Sequence, residues 1–154
     1  MNAVVRPVLA LFCALTLLLS LNAQASRGEQ KQVLGDYEVH YIGLTSNFLS
    51  QKVASAYGIN RSGNLGFISL SILKRQPNSE IAVPMAGKVE GTIRNLVGQA
   101  RPLEFREIKE TGAVYYITTF RFDDEDMYHL HFKVQPEGEV RTFDVKYNQR
   151  FYKE

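Results

Sequence analysis

Tryptophan is absent from this 154-residue chain, and its single cysteine, Cys13, lies within an apolar run near the N-terminus. Beyond that run there is no thiol for a disulfide, a cysteine nucleophile or a thiolate metal site, so stability has to come from a packed core. Charge of one sign is not in excess either: 18 Lys and Arg stand against 16 Asp and Glu. A near-neutral balance argues against bulk electrostatic binding of nucleic acid or of an anionic membrane, which needs a basic excess. No internal repeat, low-complexity tract or long linker interrupts the chain.

The one long hydrophobic run, Val8 to Leu21, follows a single cation, Arg6, and precedes Asn22-Ala23-Gln24-Ala25. It is short for a transmembrane helix, which needs about 20 apolar residues. The small-residue pattern predicts a signal peptide over residues 1–25, cleaved after Ala25. Cys13 follows Leu11-Phe12 with more apolar chain behind it, which disfavours a lipoprotein attachment point. The expected product is one exported, periplasmic domain, residues 26–154, with no stable membrane insertion after cleavage.

Period-two alternation dominates that domain. Segments 37–43, 66–74, 88–95, 103–109, 113–122, 128–135 and 142–147 read as strands, separated by turn signals such as Pro77-Asn78-Ser79, Thr111-Gly112 and Pro136-Glu137-Gly138. About seven short strands predict an antiparallel immunoglobulin-like β-sandwich, with a small barrel as the alternative. Residues 45–60 depart from the pattern. A short helical insertion near residues 46–57, capped by Thr45 or Ser46, would carry Leu49, Val53 and Ala56 on one stripe and stop at Gly58; a plain loop is the competing reading. Tyr115 and Ile117 fall on the opposite face of their strand from Val114, Tyr116, Phe120 and Phe122. The helical segment, the C-terminal Phe151-Tyr152 or a partner protein should cover them.

The stretch FDDEDMYHLHF, residues 122–132, is the densest concentration of chemistry. If Asp123–Met127 form a hairpin tip, Phe122 pairs with Tyr128, Arg121 with His129 and Thr119 with His131. In the next hairpin His131 meets Asp144 and His129 meets Lys146. Histidines at i and i+2 share a strand face about 7 Å apart. Yet His129 is then flanked by two cations, and of the acids only Asp126 is within reach. A stable site needs three or four ligands. His129, His131 and Asp126 are therefore weak metal candidates, His40 joins them only if its strand neighbours theirs, and contiguous acids without a glycine do not match an EF-hand. No cofactor is expected. A carboxylate beside an imidazole favours its protonated form, so His131 with Asp144 is either a mildly pH-sensitive pair or a surface ion pair worth about 0–1 kcal/mol.

Catalytic motifs are not found. Arg61-Ser62-Gly63-Asn64-Leu65-Gly66 lacks nucleophile-elbow spacing and reads as a turn feeding a strand, so a non-enzymatic function is expected. Tyr115, Tyr116, Tyr147 and Tyr152 with Phe151 form either a contact surface or core residues with boundary hydroxyls.

Read together, AYGINRSGNLGFISLSIL (residues 56–73), GTIRNLVGQARPLEFREI (91–108) and AVYYITTFRF (113–122) resemble a family of small exported bacterial proteins, domain of unknown function 4426. The resemblance implies a proteobacterial envelope protein, periplasmic and all-β, and transfers no catalytic residue, cofactor or partner. It draws attention to Arg61 and Asn64, polar groups in a loop beside a rigid sheet. Such groups serve recognition or simply turn and helix-end geometry. Two functions remain open: a module that contacts another envelope protein through a strand edge or the Tyr115 and Ile117 face, and a metal- or small-ligand-binding protein.

Overall fold

A computed structural model describes residues 29–153; the signal-peptide reading of residues 1–25 falls outside them. Among the described residues ten strands form two antiparallel sheets: β1 Glu29–Leu34, β2 Tyr37–Thr45, β3 Leu65–Lys74, β4 Val83–Met85, β5 Gly87–Asn95, β6 Ala100–Leu103, β7 Arg106–Glu110, β8 Ala113–Arg121, β9 Met127–Pro136 and β10 Phe143–Arg150. The larger sheet runs β1-β2-β3-β8-β7, with β4 beside β8 on the same edge of β3; the smaller runs β10-β9-β5-β6.

Alternation explains how the layers close. Val39, Tyr41, Ile68, Leu70, Ile72, Tyr116 and Phe120 of the larger sheet meet Ile93, Leu103, Leu130, Phe132, Val134, Val145 and Tyr147 of the smaller in one core. Phe151, from the segment after β10, seals one end against Phe120, Phe122 and Tyr128 with ring centroids 5.1–6.1 Å apart. This is the β-sandwich that the sequence pattern predicts.

Three strands go beyond the expected seven. β1, EQKQVL, has no apolar alternation because it is an edge strand held by its ladder to β2. The three-residue β4 docks on the end of β3. The expected strand 103–109 is split: β6 belongs to the smaller sheet and β7 to the larger, and the chain changes layers at Glu104-Phe105. Leu103 is buried, and Phe105 packs edge-on to Phe132 at 5.5 Å. Inward residues on either side of a crossing look the same in sequence as one uninterrupted strand.

The expected hairpin between Phe122 and Tyr128 does not form. β8 pairs with β3 and β7, whereas β9 pairs with β5 and β10, so Asp123–Asp126 arch from one sheet to the other. Phe122 and Tyr128 are both buried, which an arch satisfies as well as a hairpin. The β9–β10 hairpin exists but is shifted by two residues, with Lys133 opposite Asp144, His131 opposite Lys146 and His129 opposite Asn148. An even shift preserves the faces, so alternation cannot detect it.

The helical insertion is present as a 3-10 turn, Ser46–Phe48, and a short helix α1, Gln51–Ala56. Its phase differs from the expected stripe. Ser50, not Thr45 or Ser46, accepts the Val53 amide at 3.2 Å as the N-cap, which turns Ala54 inward and leaves Val53 exposed. Gly58, at φ 63°, supplies the left-handed residue after the helix. The segment lies on the outer face of the larger sheet, where Ala54 and Ile59 pack with Phe67 and Ile117. The helix is thus the cover for Ile117.

Candidate functional site

β7 begins pairing with β8 at Arg106 opposite Ile117. Before Arg106 the chain has already left for the smaller sheet. The last residues of β8, Thr118 to Arg121, therefore have β3 on one side and, among the described residues, no strand on the other. The Phe122 amide donates toward β3, to Asn64 O at 3.3 Å. Since backbone polar groups alternate sides along a strand, those of Arg121 and Thr119 point away from β3. Arg121 O accepts a hydrogen bond from Arg101 Nη2, a guanidinium standing where a neighbouring strand would be. Among the described residues no backbone group pairs with Thr119 N–H or C=O, which face open space.

That space is a cleft of about 580 Å³. One wall is the loop after α1, Gly58 to Asn60, and the other is β6 with its exit, Arg101 to Glu104. Phe67, Ile117 and Phe120 give it an apolar floor, and Thr118, Thr119, Asn60 and Arg106 supply polar groups. Arg106 Nη2 donates to Tyr57 O and so pins the loop that forms the first wall. The Tyr57 hydroxyl in turn donates to Glu110 on β7, and that carboxylate raises the tyrosine pKa. A strand edge above an apolar floor, flanked by two anchored guanidiniums, is equipped to hold an extended chain by its backbone.

The residues singled out from sequence lie elsewhere or at the rim. His131 Nε2 and Asp144 Oδ1 are 2.5 Å apart on the outer face of the smaller sheet, so the pair forms despite the shifted register, as diagonal neighbours. The hydrogen bond from His131, then the charges of Lys146 and Lys133, hold the Asp144 carboxyl below the usual range. His129 sits between Arg94 and Asn148, not between Arg121 and Lys146, because β8 lies in the other sheet; its Nδ1 is 2.6 Å from Asn148 Oδ1. Asp126 Oδ1 accepts the Met127 amide at 3.0 Å within the arch. His40 is on the other sheet, 3.0 Å from Glu38 Oε2, and with Lys31 it lowers the Glu38 pKa. Among the described residues no group of three or more His, Cys, Asp or Glu is placed to hold a metal ion.

Arg61 donates to Asn47 O at 2.8 Å and Asn64 Oδ1 accepts from the Ser62 hydroxyl at 2.7 Å. Both serve the geometry of the loop that frames the cleft. Tyr115 is exposed, but Ile117 is buried beneath the helical segment and lines the cleft, so the two do not form one open contact face. Tyr116 and Tyr147 belong to the core, Phe151 with them, and Tyr152 is exposed. Sequence reading missed Arg101, Arg106, Asn60 and Thr119. The available signal was Pro102, which has no N–H and fits only an edge strand.

The sequence profile of the family described as "Domain of unknown function (DUF4426)" matches residues 31–154. A crystal structure of a DUF4426 family protein from Pseudomonas aeruginosa superposes with a TM-score of 0.70 at 32% identity, covering 82% of this chain and 97% of that one. FetP from uropathogenic Escherichia coli, recombinantly expressed in the periplasm, gives a TM-score of 0.57 at 11% identity, covering 82% and 95%. A copper-bound variant of a Campylobacter jejuni protein gives 0.52 at 11%, covering 80% and 95%. At 11% identity the last two show likeness of fold alone. No curated protein sequence matches the chain at significant similarity.

Proposed function

We propose that this chain, which belongs to the DUF4426 family, is a non-enzymatic binding module of the bacterial periplasm that receives an extended segment of a partner protein along the open edge of β8. The observation that carries the reading is the stretch Thr118 to Arg121 above the cleft, unpaired on its outer side among the described residues. Strand addition draws affinity from main-chain hydrogen bonds and specificity from pockets for alternate side chains, and this edge offers both. Export is supported by the apolar N-terminal run and its Ala23-Gln24-Ala25 exit. Among the described residues no helix is long and apolar enough to cross a membrane.

The test is in-cell cross-linking with a photoreactive residue at Thr119, and at exposed Val140 as control. One identified protein should be captured from Thr119 and not from Val140, and the capture should disappear when Asn60→Trp fills the cleft. Equal capture from both positions, or none from Thr119, removes the reading.

A metal-binding protein is the second reading, favoured by the copper-bound structure of similar shape. Its best residues here are the two histidines His129 and His131, which share the outer face of β9, with no third ligand placed beside both of them among the described residues. Protein purified without a histidine tag should then carry metal that a His129→Ala, His131→Ala double variant loses. No bound metal and no thermal shift with copper, zinc or calcium dismisses it.

A further inference from the structure

We infer that the segment received in the β8 cleft carries two acidic residues about four positions apart, with an apolar residue between them; this rests on the strand-addition reading and adds the partner's chemistry to it. The two ends of the open edge carry the argument. Arg106 is the register partner of Ile117, where the edge opens, and Arg101 reaches Arg121 O, where it ends. Arg106 itself occupies the place opposite Ile117, so an added chain would pair only opposite Thr118 to Arg121. Its next residue, turning off the sheet, would lie beside the Arg106 guanidinium, about 13 Å from the Arg121 end at about 3.3 Å per residue. An extended chain laid on this edge would meet one guanidinium at each end.

Each guanidinium is fixed by one hydrogen bond to a backbone carbonyl, Tyr57 O for Arg106 and Arg121 O for Arg101. Arginine has five N–H donors in a planar fork suited to carboxylate, so most of each fork remains for a ligand. Among the described residues no carboxylate is ion-paired with either one. Neither guanidinium is therefore held in a contact ion pair by an acid of the described residues.

The middle of the cleft asks for the opposite chemistry. Thr119 and Phe67 are register partners and share a face. A residue added opposite Thr119 places its side chain on that face, beside Phe67 and Ile59 on the cleft lining. Glu104, the one acid on the wall among the described residues, would repel a central carboxylate. Acidic, apolar, acidic is the pattern that the lining complements.

The test uses fluorescein-labelled octapeptides with Glu at positions 2 and 6 and Val at position 4, matched peptides with Gln or Lys at 2 and 6, and the protein purified as the cell exports it. Fluorescence anisotropy should show the Glu peptide binding about ten-fold more tightly than the Gln peptide, with the difference shrinking as salt rises. The double variant Arg101→Glu, Arg106→Glu should invert the preference toward the Lys peptide, a result that loss of structure cannot produce. If the double variant fails to fold, the single variants Arg101→Gln and Arg106→Gln should each weaken the Glu preference several-fold, and no weakening overturns the inference. Equal binding of all three peptides, with cross-linking from Thr119 intact, overturns the charge pattern and leaves strand addition standing. No peptide binding and no capture from Thr119 overturns both.

Discussion

The Gly87 amide donates a hydrogen bond to the Tyr116 hydroxyl at 2.7 Å, joining the first residue of β5 to the middle of β8 across the two sheets. The hydroxyl's single proton has two acceptors in reach, Glu107 Oε2 at 2.8 Å and Gly87 O at 2.9 Å. Burial, then the Glu107 hydrogen bond, push the Tyr116 pKa up to about 12, and the same bond, with help from Lys109, lowers that of Glu107. One side chain thus ties layer to layer at the end of the core away from Phe151.

Tyr116→Phe should destabilise the protein by about 1–3 kcal/mol, because it strands the Gly87 amide without its acceptor. Denaturant unfolding checks the magnitude. A carboxyl NMR titration should show Glu107 ionising at higher pH in the variant, and no change at Glu107 would mean that the bond is not made.

Tyr147→Phe should behave in the opposite way. The Tyr147 hydroxyl is buried, has no hydrogen-bond partner among the described residues, and burial raises its pKa. Removing a buried hydroxyl that bonds to no protein group is expected to leave stability within about 1 kcal/mol of wild type or to raise it. A loss above about 2 kcal/mol would show that the hydroxyl is satisfied after all.

Gly66→Ala places a Cβ 2.4 Å from Phe120 Cζ. The ring cannot swing aside, since it is packed on Tyr128 and Phe151. The expected cost is about 1–3 kcal/mol, seen as a lower urea midpoint with an unchanged slope. Because Phe120 also lines the cleft, the strand-addition reading expects peptide binding to weaken along with stability.

Acid should act through Asp144. The folded-state pKa of Asp144 is lowered, so its contribution is present above the unfolded carboxyl value of about 3.9 and is lost as pH falls through the lower folded value. In His131→Ala the Asp144 carboxyl should titrate at higher pH than in wild type, and the stability gap between the two proteins should close in acid. An unchanged Asp144 titration would show that the contact does not persist in solution.

Strand positions were legible in the sequence because one face of nearly every strand is apolar; partner strands were not. Phe122 and Tyr128 obey alternation whether they face each other within a sheet or across the core, and a two-residue slip of β10 leaves Val145 and Tyr147 inward in either register. The His131–Asp144 contact survived that slip because a diagonal neighbour is still within reach of an imidazole. The cleft was invisible for a related reason. It exists because two strands adjacent in sequence, β6 and β7, go to different sheets, and composition records nothing about that choice.

Pro102 on β6 gives the cleft a further property. β6 is an edge strand whose ladder runs to β5 through Thr92 opposite Pro102, and a proline there has no amide proton to offer outward. The open run on β8 is only four residues long and walled on both sides. Another sheet would meet a short recessed edge facing a strand with a missing donor, whereas a single flexible chain could thread between the walls. On the strand-addition reading the gap would therefore act as a size filter, too short and recessed to template sheet-on-sheet pairing yet wide enough for a solitary strand.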